Sequence, residues 1–180
     1  MSSFSEFNLA PTTRAALAAM AIETPTPIQA LALPHLLAGR DLIGQARTGS
    51  GKTLAFGIPL VERVDPRERA VQALVLAPTR ELATQVGGVL EAVGKGRGLR
   101  VALIYGGRAF GPQESALRAG AQIVVGAPGR VLDLIRRGAL RLDRVRYLVL
   151  DEADEMLDRG FAPDVERILA HAPRTRQPAL

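Results

Sequence analysis

The sequence contains no cysteine. That absence excludes disulfides, thiolate zinc ligands and cysteine nucleophiles together, and it suits a reducing, cytoplasmic setting. No apolar run reaches the ~18 residues of a membrane-spanning helix, because charges or prolines break every stretch. The first twenty residues hold one Arg and one Glu and no apolar segment of the kind that directs secretion, so no membrane partner is expected. Lysine is almost missing. Lys52 and Lys95 are the two present, which leaves 21 arginines among 23 basic residues. Against 18 acidic residues the net charge is +5. An arginine-dominated excess favours polyanion partners, since guanidinium forks match phosphate geometry; an arginine-rich proteome would produce the same composition.

What is present is ordinary globular material: 47% hydrophobic and 23% charged residues in a chain of 180. Residues 1–180 read as one domain, long enough to bury roughly 70% of its unfolded surface. From residue 41 onward, apolar runs alternate with helical patterns. Strands are predicted at Asp41 to Ala46, Val71 to Ala77, Leu99 to Tyr105, Ala121 to Gly126 and Val145 to Leu150. Their near-continuous apolar character is that of strands covered on both faces. Helices are predicted at Lys52 to Val64, Thr79 to Val93, Pro112 to Ala119 and Gly129 to Arg137, with turns at Asp65 to Ala70 and Gly94 to Gly98. The expected fold is therefore α/β, a mostly parallel sheet with helices on both faces. Residues 1–40 differ, carrying two helical segments near Pro11 to Met20 and Pro27 to Leu37 ahead of the first strand.

The most specific motif runs from Ala46 through Arg47, Thr48, Gly49, Ser50, Gly51 and Lys52 to Thr53. It follows a predicted strand and opens a predicted helix, as a phosphate-binding loop requires. Glycines free backbone N–H groups to surround a phosphate, Lys52 would bridge the β- and γ-phosphates of ATP, or meet the β-phosphate of ADP, and the Thr53 hydroxyl would reach Mg²⁺. The general pattern has Gly where this chain has Ala46, which is compatible provided Ala46 keeps a negative φ. A second signal is Asp151-Glu152-Ala153-Asp154 after the apolar run Tyr147 to Leu150. An Asp at the carboxyl end of a parallel strand suits Mg²⁺, and the adjacent Glu can orient or deprotonate an attacking water. Acidic capping of the following helix is the competing account.

The Asp-Glu-Ala-Asp block resembles motif II of the DEAD-box RNA helicases. Further blocks match that family in the same order. Pro25-Thr26-Pro27-Ile28-Gln29 resembles its Q motif, Pro78-Thr79-Arg80-Glu81-Leu82 its motif Ia, Gly106-Gly107 its glycine doublet, and Ala127-Pro128-Gly129-Arg130 its motif Ib. The resemblance implies the N-terminal RecA-like, ATP-binding domain of an enzyme that couples ATP hydrolysis to local RNA unwinding. Asp151, Glu152 and Lys52 would then be catalytic, with Thr53 and Asp151 on the metal. Gln29 would read the adenine edge, and an upstream aromatic would stack on the base: Phe4 by spacing, with Phe7 as the nearby competitor. Pro78, Thr79, Arg80, Gly106, Gly107, Pro128, Gly129 and Arg130 would follow an RNA backbone without reading its sequence.

Two departures from the family pattern stand out. Ala21-Ile22 replaces the usual Gly-Phe, and Ala127 replaces a Thr whose hydroxyl could bond RNA. The resemblance also implies a later Ser-Ala-Thr block and a second RecA-like domain as partner, neither found in these 180 residues, so nucleotide binding without unwinding is expected of them. The alternative is a P-loop ATPase motor acting on DNA or protein. Arg136, Arg137, Arg141, Arg144 and Arg146 read as a solvated surface, and His35 and His171 as structural.

Overall fold

The computed structural model describes residues 3–47 and 49–180. A 3₁₀ turn at Phe4–Glu6 leads into α1 (Pro11–Ala19) and α2 (Pro27–Leu37). Then come α3 (Lys52–Arg63), β1 (Ala73–Leu76), α4 (Arg80–Gly94), β2 (Val101–Ile104), α5 (Phe110–Arg118), β3 (Ile123–Gly126) and α6 (Pro128–Arg136). The chain finishes with β4 (Tyr147–Leu150), α7 (Ala153–Asp158), α8 (Ala162–Ala170) and β5 (Gln177–Ala179). Every strand pairing is parallel, in the order β2-β3-β1-β4-β5.

Alternation along each strand divides the core in two, because successive side chains point to opposite faces. Ala73 and Val75 of β1 pack with Val125, Val149 and the helices α1 to α4. Leu74 and Leu76 face the other way, onto Val124, Leu148 and the helices α6 and α8. Both faces are therefore covered, as the apolar runs require.

Four predicted strands form, each shorter than its apolar run. The fifth does not. Asp41 to Ala46 is extended but carries a single bridge, Leu42 to Ala179, with Gly44 N–H donating to Leu180 O at 2.7 Å. It lies at the rim beside β5, and Ile43 is 84% exposed. Its apolar stretch is short, Leu42-Ile43 ahead of Gly44 and Gln45, and its pairing with β5 stops at that one bridge. At Gly94 to Gly98 the expected exposed turn is a 3₁₀ turn, Lys95–Arg97, with Lys95, Gly96 and Gly98 exposed and Gly94 buried as the end of α4. Arg97 there donates to Val64 O at 3.1 Å and lies 4.0 Å from Glu62. The helix predicted from Pro112 begins two residues earlier, at Phe110.

The N-terminal helices are tied to the sheet by polar contacts at helix ends. Ala10 cannot cap α1 with its side chain, so Glu62 of α3 accepts the Ala10 N–H at 3.1 Å. At the C-terminal end of α2, Gln177 donates to Leu36 O at 3.2 Å and to Arg40 O at 2.6 Å. Carbonyls left over by the last helical turn are thereby satisfied. These contacts tie α1 to the end of α3 and α2 to β5. The basic stretch after α6 is largely paired: Arg144 and Arg146 both meet Glu68, Arg141 meets Asp143 and Arg137 meets Glu114.

Candidate functional site

The carboxyl ends of the strands carry the loops that the motifs occupy, as in other open parallel sheets. At one end of that edge, a cleft of about 360 Å³ lies between α2, the segment 42–46, the start of α3 and the end of β4. Ala46, Lys52, Asp151 and Glu152 are on its wall. β5 lies between β4, which leads to Asp151, and the segment that leads to the phosphate loop, yet both loops reach the same cleft. Phe4, Gln29 and Thr53 do not line it.

The phosphate loop meets its backbone requirements. Among described non-glycine residues only Ala21 and Glu152 have positive φ, so Ala46 satisfies the condition set by its departure from Gly. Gly51 has φ +93° and ends at Lys52, the first residue of α3. Without a side chain it cannot cap the helix, so the first N–H groups of α3 and the positive end of its dipole remain for an anion. Ser50 Oγ is buried with no hydrogen-bond partner among described residues. Such an orphaned hydroxyl suits a polar ligand. Arg47 is exposed, and Ser50 N–H is held by Arg47 O at 3.2 Å. Thr48 lies outside the described residues.

Gln29 is 2% exposed and its amide is engaged on both sides. The oxygen accepts from Thr26 N–H at 3.0 Å, and Nε2 donates to Gly51 O at 3.0 Å. A Cβ on Gly51 would sit 2.5 Å from that nitrogen, so the α2 helix and the phosphate loop are in direct contact only because residue 51 is Gly. Phe4 is 5% exposed within the core, its ring 6.4 Å from that of the half-buried Phe7. Little of Phe4 is left for a base to stack on.

Asp151 ends β4, its N–H bonded to Leu76 O at 2.9 Å, and is 7% exposed. Burial pushes its carboxyl above the ordinary value; the Lys52 ammonium works against that rise and the Glu152 carboxylate adds to it. A buried carboxylate without full compensation is a natural seat for a cation, whereas Thr53, the other residue expected on the metal, is the second residue of α3 and off the cleft wall. Among the described residues no group of three His, Cys, Asp or Glu forms a protein-only metal cage. Glu152 precedes α7 with φ +54°, ψ +53°, an uncommon conformation for a residue with a side chain and one that concentrates at functional sites.

The remaining motif residues lie along the same edge, after β1, β2 and β3. Thr79 caps α4, its hydroxyl accepting Leu82 N–H at 3.2 Å while its own O–H is still free to donate. Arg80 is exposed and paired with Glu81 at 3.1 Å, and a Cβ on Gly107 would be 3.7 Å from its Nη1. Gly106 and Gly107 are exposed, whereas Pro78 and Pro128 are buried and shape the turns rather than present a surface. Gly129 and Arg130 sit in the first turn of α6, and the N-cap Ala127 offers no side-chain bond. Arg130 Nη1 donates to Arg108 O at 2.7 Å.

A residue unmarked in the sequence reading organises this region. Gln113 of α5 is 5% exposed; it accepts Tyr105 N–H at 3.1 Å and donates to Ala109 O at 3.1 Å. It thus closes both ends of the Gly106-Gly107 loop. A lone Gln within an amphipathic helix carries no sequence signal of such a role.

Residues 26–180 match the family model described as DEAD/DEAH box helicase. The chain belongs to that family. It is 52% identical over 166 residues to the ATP-dependent RNA helicase DeaD of Haemophilus influenzae, covering 92% of this chain and 27% of that protein. It is 51% identical over 180 residues to the DEAD-box ATP-dependent RNA helicase CshA of Geobacillus kaustophilus, covering 100% of this chain and 38% of that one. Among solved structures, a DEAD box protein from Methanococcus jannaschii superposes with a TM-score of 0.95 at 45% identity, over 100% of this chain and 49% of that chain. Dbp5 of S. cerevisiae bound to RNA and ADP BeF3 superposes with a TM-score of 0.91 at 38% identity, over 100% and 46%. The fold is thus the RecA-like domain of the family, and the chain spans less than half the length of these relatives. No helix among the described residues is long and apolar enough to cross a membrane.

Proposed function

We propose that this DEAD-box chain is the adenine-nucleotide-binding half of an ATP-dependent RNA helicase. The observation that carries the reading is the convergence of Lys52 and the Asp151-Glu152 pair on one cleft, at one end of a sheet edge whose other loops bear Arg80, Gly107 and Arg130. Nucleotide at one end and RNA along the rest is an arrangement in which hydrolysis can be coupled to a strand. The Dbp5 structure with RNA and ADP BeF3 supports the same pair of ligands.

In this reading the first-turn N–H groups of α3 hold the phosphates and Lys52 neutralises them. Asp151 and Thr53 hold Mg²⁺, which when bound offsets negative charge on the transferring phosphoryl group. Glu152 orients the attacking water and takes its proton, a role suited to a half-buried carboxylate one residue from the metal ligand. Gln29 acts at the base or through the phosphate loop it touches. Thr79, Gly107, Gly129 and Arg130 meet RNA phosphates through backbone N–H groups, a hydroxyl and a guanidinium. Phosphoryl transfer depends on charge-stabilising arginines worth ~10³–10⁵ in rate, which the family resemblance places in the second RecA-like domain. These 180 residues alone are therefore expected to bind ADP without appreciable turnover or unwinding.

Calorimetric titration of the chain with ADP and GDP, with and without Mg²⁺, tests the reading. ADP binding that exceeds GDP binding and is lost in Lys52→Ala supports it. Absence of nucleotide binding, or rapid RNA-stimulated hydrolysis by this chain alone, overturns it. Binding of single-stranded DNA in clear preference to RNA would favour a DNA motor.

A further inference from the structure

We propose that Phe110 is a positioning residue that holds the Arg130 guanidinium ready for an RNA phosphate. The inference rests on the RNA-binding reading above and adds to it a residue outside every recognised motif. Phe110 opens α5, directly after the Gly106-Gly107 loop, and is half-buried. Its ring centroid lies 4.0 Å from Arg130 Cζ and 4.2 Å from Arg137 Cζ, so one aromatic ring serves two guanidinium groups from the two ends of α6.

The two arginines are not equivalent. Arg137 Nε donates to Glu114 at 3.2 Å, and its charge is locally balanced. Arg130 has no carboxylate within 4.0 Å among the described residues. Its anchors are the Phe110 ring and the Arg108 carbonyl, both uncharged. Arg80, by contrast, is spent on Glu81.

This combination has a physical consequence. A guanidinium carries five N–H donors in its plane, and stacking engages its face. With one donor on Arg108 O, four remain in the plane for a phosphate, in the fork that permits bidentate contact. The positive charge stays uncompensated, so an incoming phosphate does not have to displace an acidic partner. Arginine loses substantial rotamer freedom when it is fixed on binding; here much of that freedom is already lost before RNA arrives. Gln113 fixes the backbone on both sides of the same loop, up to Ala109, and Phe110 packs against the core on that face of the sheet.

The experiment is a fluorescence-anisotropy titration of a labelled single-stranded RNA with this chain, over a range of salt, using Phe110→Leu, Phe110→Tyr, Arg130→Gln and the double variant Phe110→Leu/Arg130→Gln. ADP affinity and thermal midpoint are measured in parallel as controls of folding. Phe110→Leu is expected to weaken RNA binding by about threefold to tenfold, with ADP affinity unchanged and with Phe110→Tyr restoring it. The double variant should bind no more weakly than Arg130→Gln alone, because Phe110 acts through Arg130. Undiminished RNA binding by Phe110→Leu, or a fully additive loss in the double variant, overturns the proposal while leaving the RNA reading intact. Failure of the unsubstituted chain to bind RNA at any salt overturns both.

Discussion

The side-chain amide of Gln29 donates to the backbone carbonyl of Gly51 across 3.0 Å. One hydrogen bond thus joins the helix α2 to the loop that would grip phosphate, and the other side of the same amide accepts Thr26 N–H. Any part Gln29 takes in nucleotide binding is therefore coupled to phosphate-loop geometry. Gln29→Ala leaves Thr26 N–H and Gly51 O without their partner in a buried place, at a cost of about 1–3 kcal/mol. It is expected to lower stability to chemical denaturation by that amount and to weaken ADP binding in the same protein. Unchanged ADP affinity would remove Gln29 from the nucleotide site and leave it a purely structural tie.

Asp151 gives a prediction with a pH signature. Its carboxyl is raised from 3.8, so the folded protein holds that proton more tightly than the unfolded chain does. Stability from this group is complete below about 3.8 and declines as pH rises through the elevated folded value. Asp151→Asn abolishes the penalty. The variant should melt above the parent at neutral pH, with the gap closing as the solution is acidified toward the ordinary carboxylate range. It should also lose the Mg²⁺-dependent part of ADP affinity, a stability gain bought with function. Equal melting temperatures across that range would show that the burial of Asp151 is fully compensated.

Ala127 stands at the N-cap of α6 in extended conformation, φ −88° and ψ +141°, and caps nothing. Thr in that conformation can accept a first-turn N–H, which is worth about 0.5–2 kcal/mol relative to Ala. Ala127→Thr is accordingly expected to raise the urea midpoint and, because a hydroxyl is added beside Gly129 and Arg130, to tighten RNA binding modestly. An RNA affinity identical to the parent's would mean that the missing hydroxyl has no part in RNA contact.

Ala21 follows α1 with φ +56°, and Ile22 N–H returns to Leu17 O at 3.0 Å, the pattern of a helix closed by a left-handed residue. Holding an L-residue there costs about 1–2 kcal/mol, against about 0.5–1 kcal/mol of extra chain entropy lost by Gly. Ala21→Gly should therefore stabilise the domain by about 0.5–1 kcal/mol in denaturant titration. A loss of stability would indicate that the Ala21 methyl group packs well enough to offset the strain.

Much of this protein was legible in residue order alone. The phosphate loop declares itself because binding through backbone N–H groups demands glycines and a helix start within a few consecutive positions. Asp151 is legible because an apolar strand gives way to an acidic block at its carboxyl end. The parallel sheet follows from continuous apolar runs separated by helical ones. Such features are local, so their physics is written in neighbouring residues.

Other features depended on what came to lie beside what. Asp41 to Ala46 reads as a strand in sequence, yet in the fold it lies at the rim and meets β5 through one bridge. Spacing nominated Phe4 for a base, yet the fold buries it among core side chains. Pro78 and Pro128 belong to the recognised blocks but are covered, while Phe110 and Gln113, in no block, shape the surface those blocks present. Burial, charge compensation and stacking are relations between residues distant in the chain. The sequence by itself determined which chemical groups this domain could bring to a phosphate. Packing decided which of them stay free to use, because a side chain already bonded or buried has no interaction left to offer a ligand.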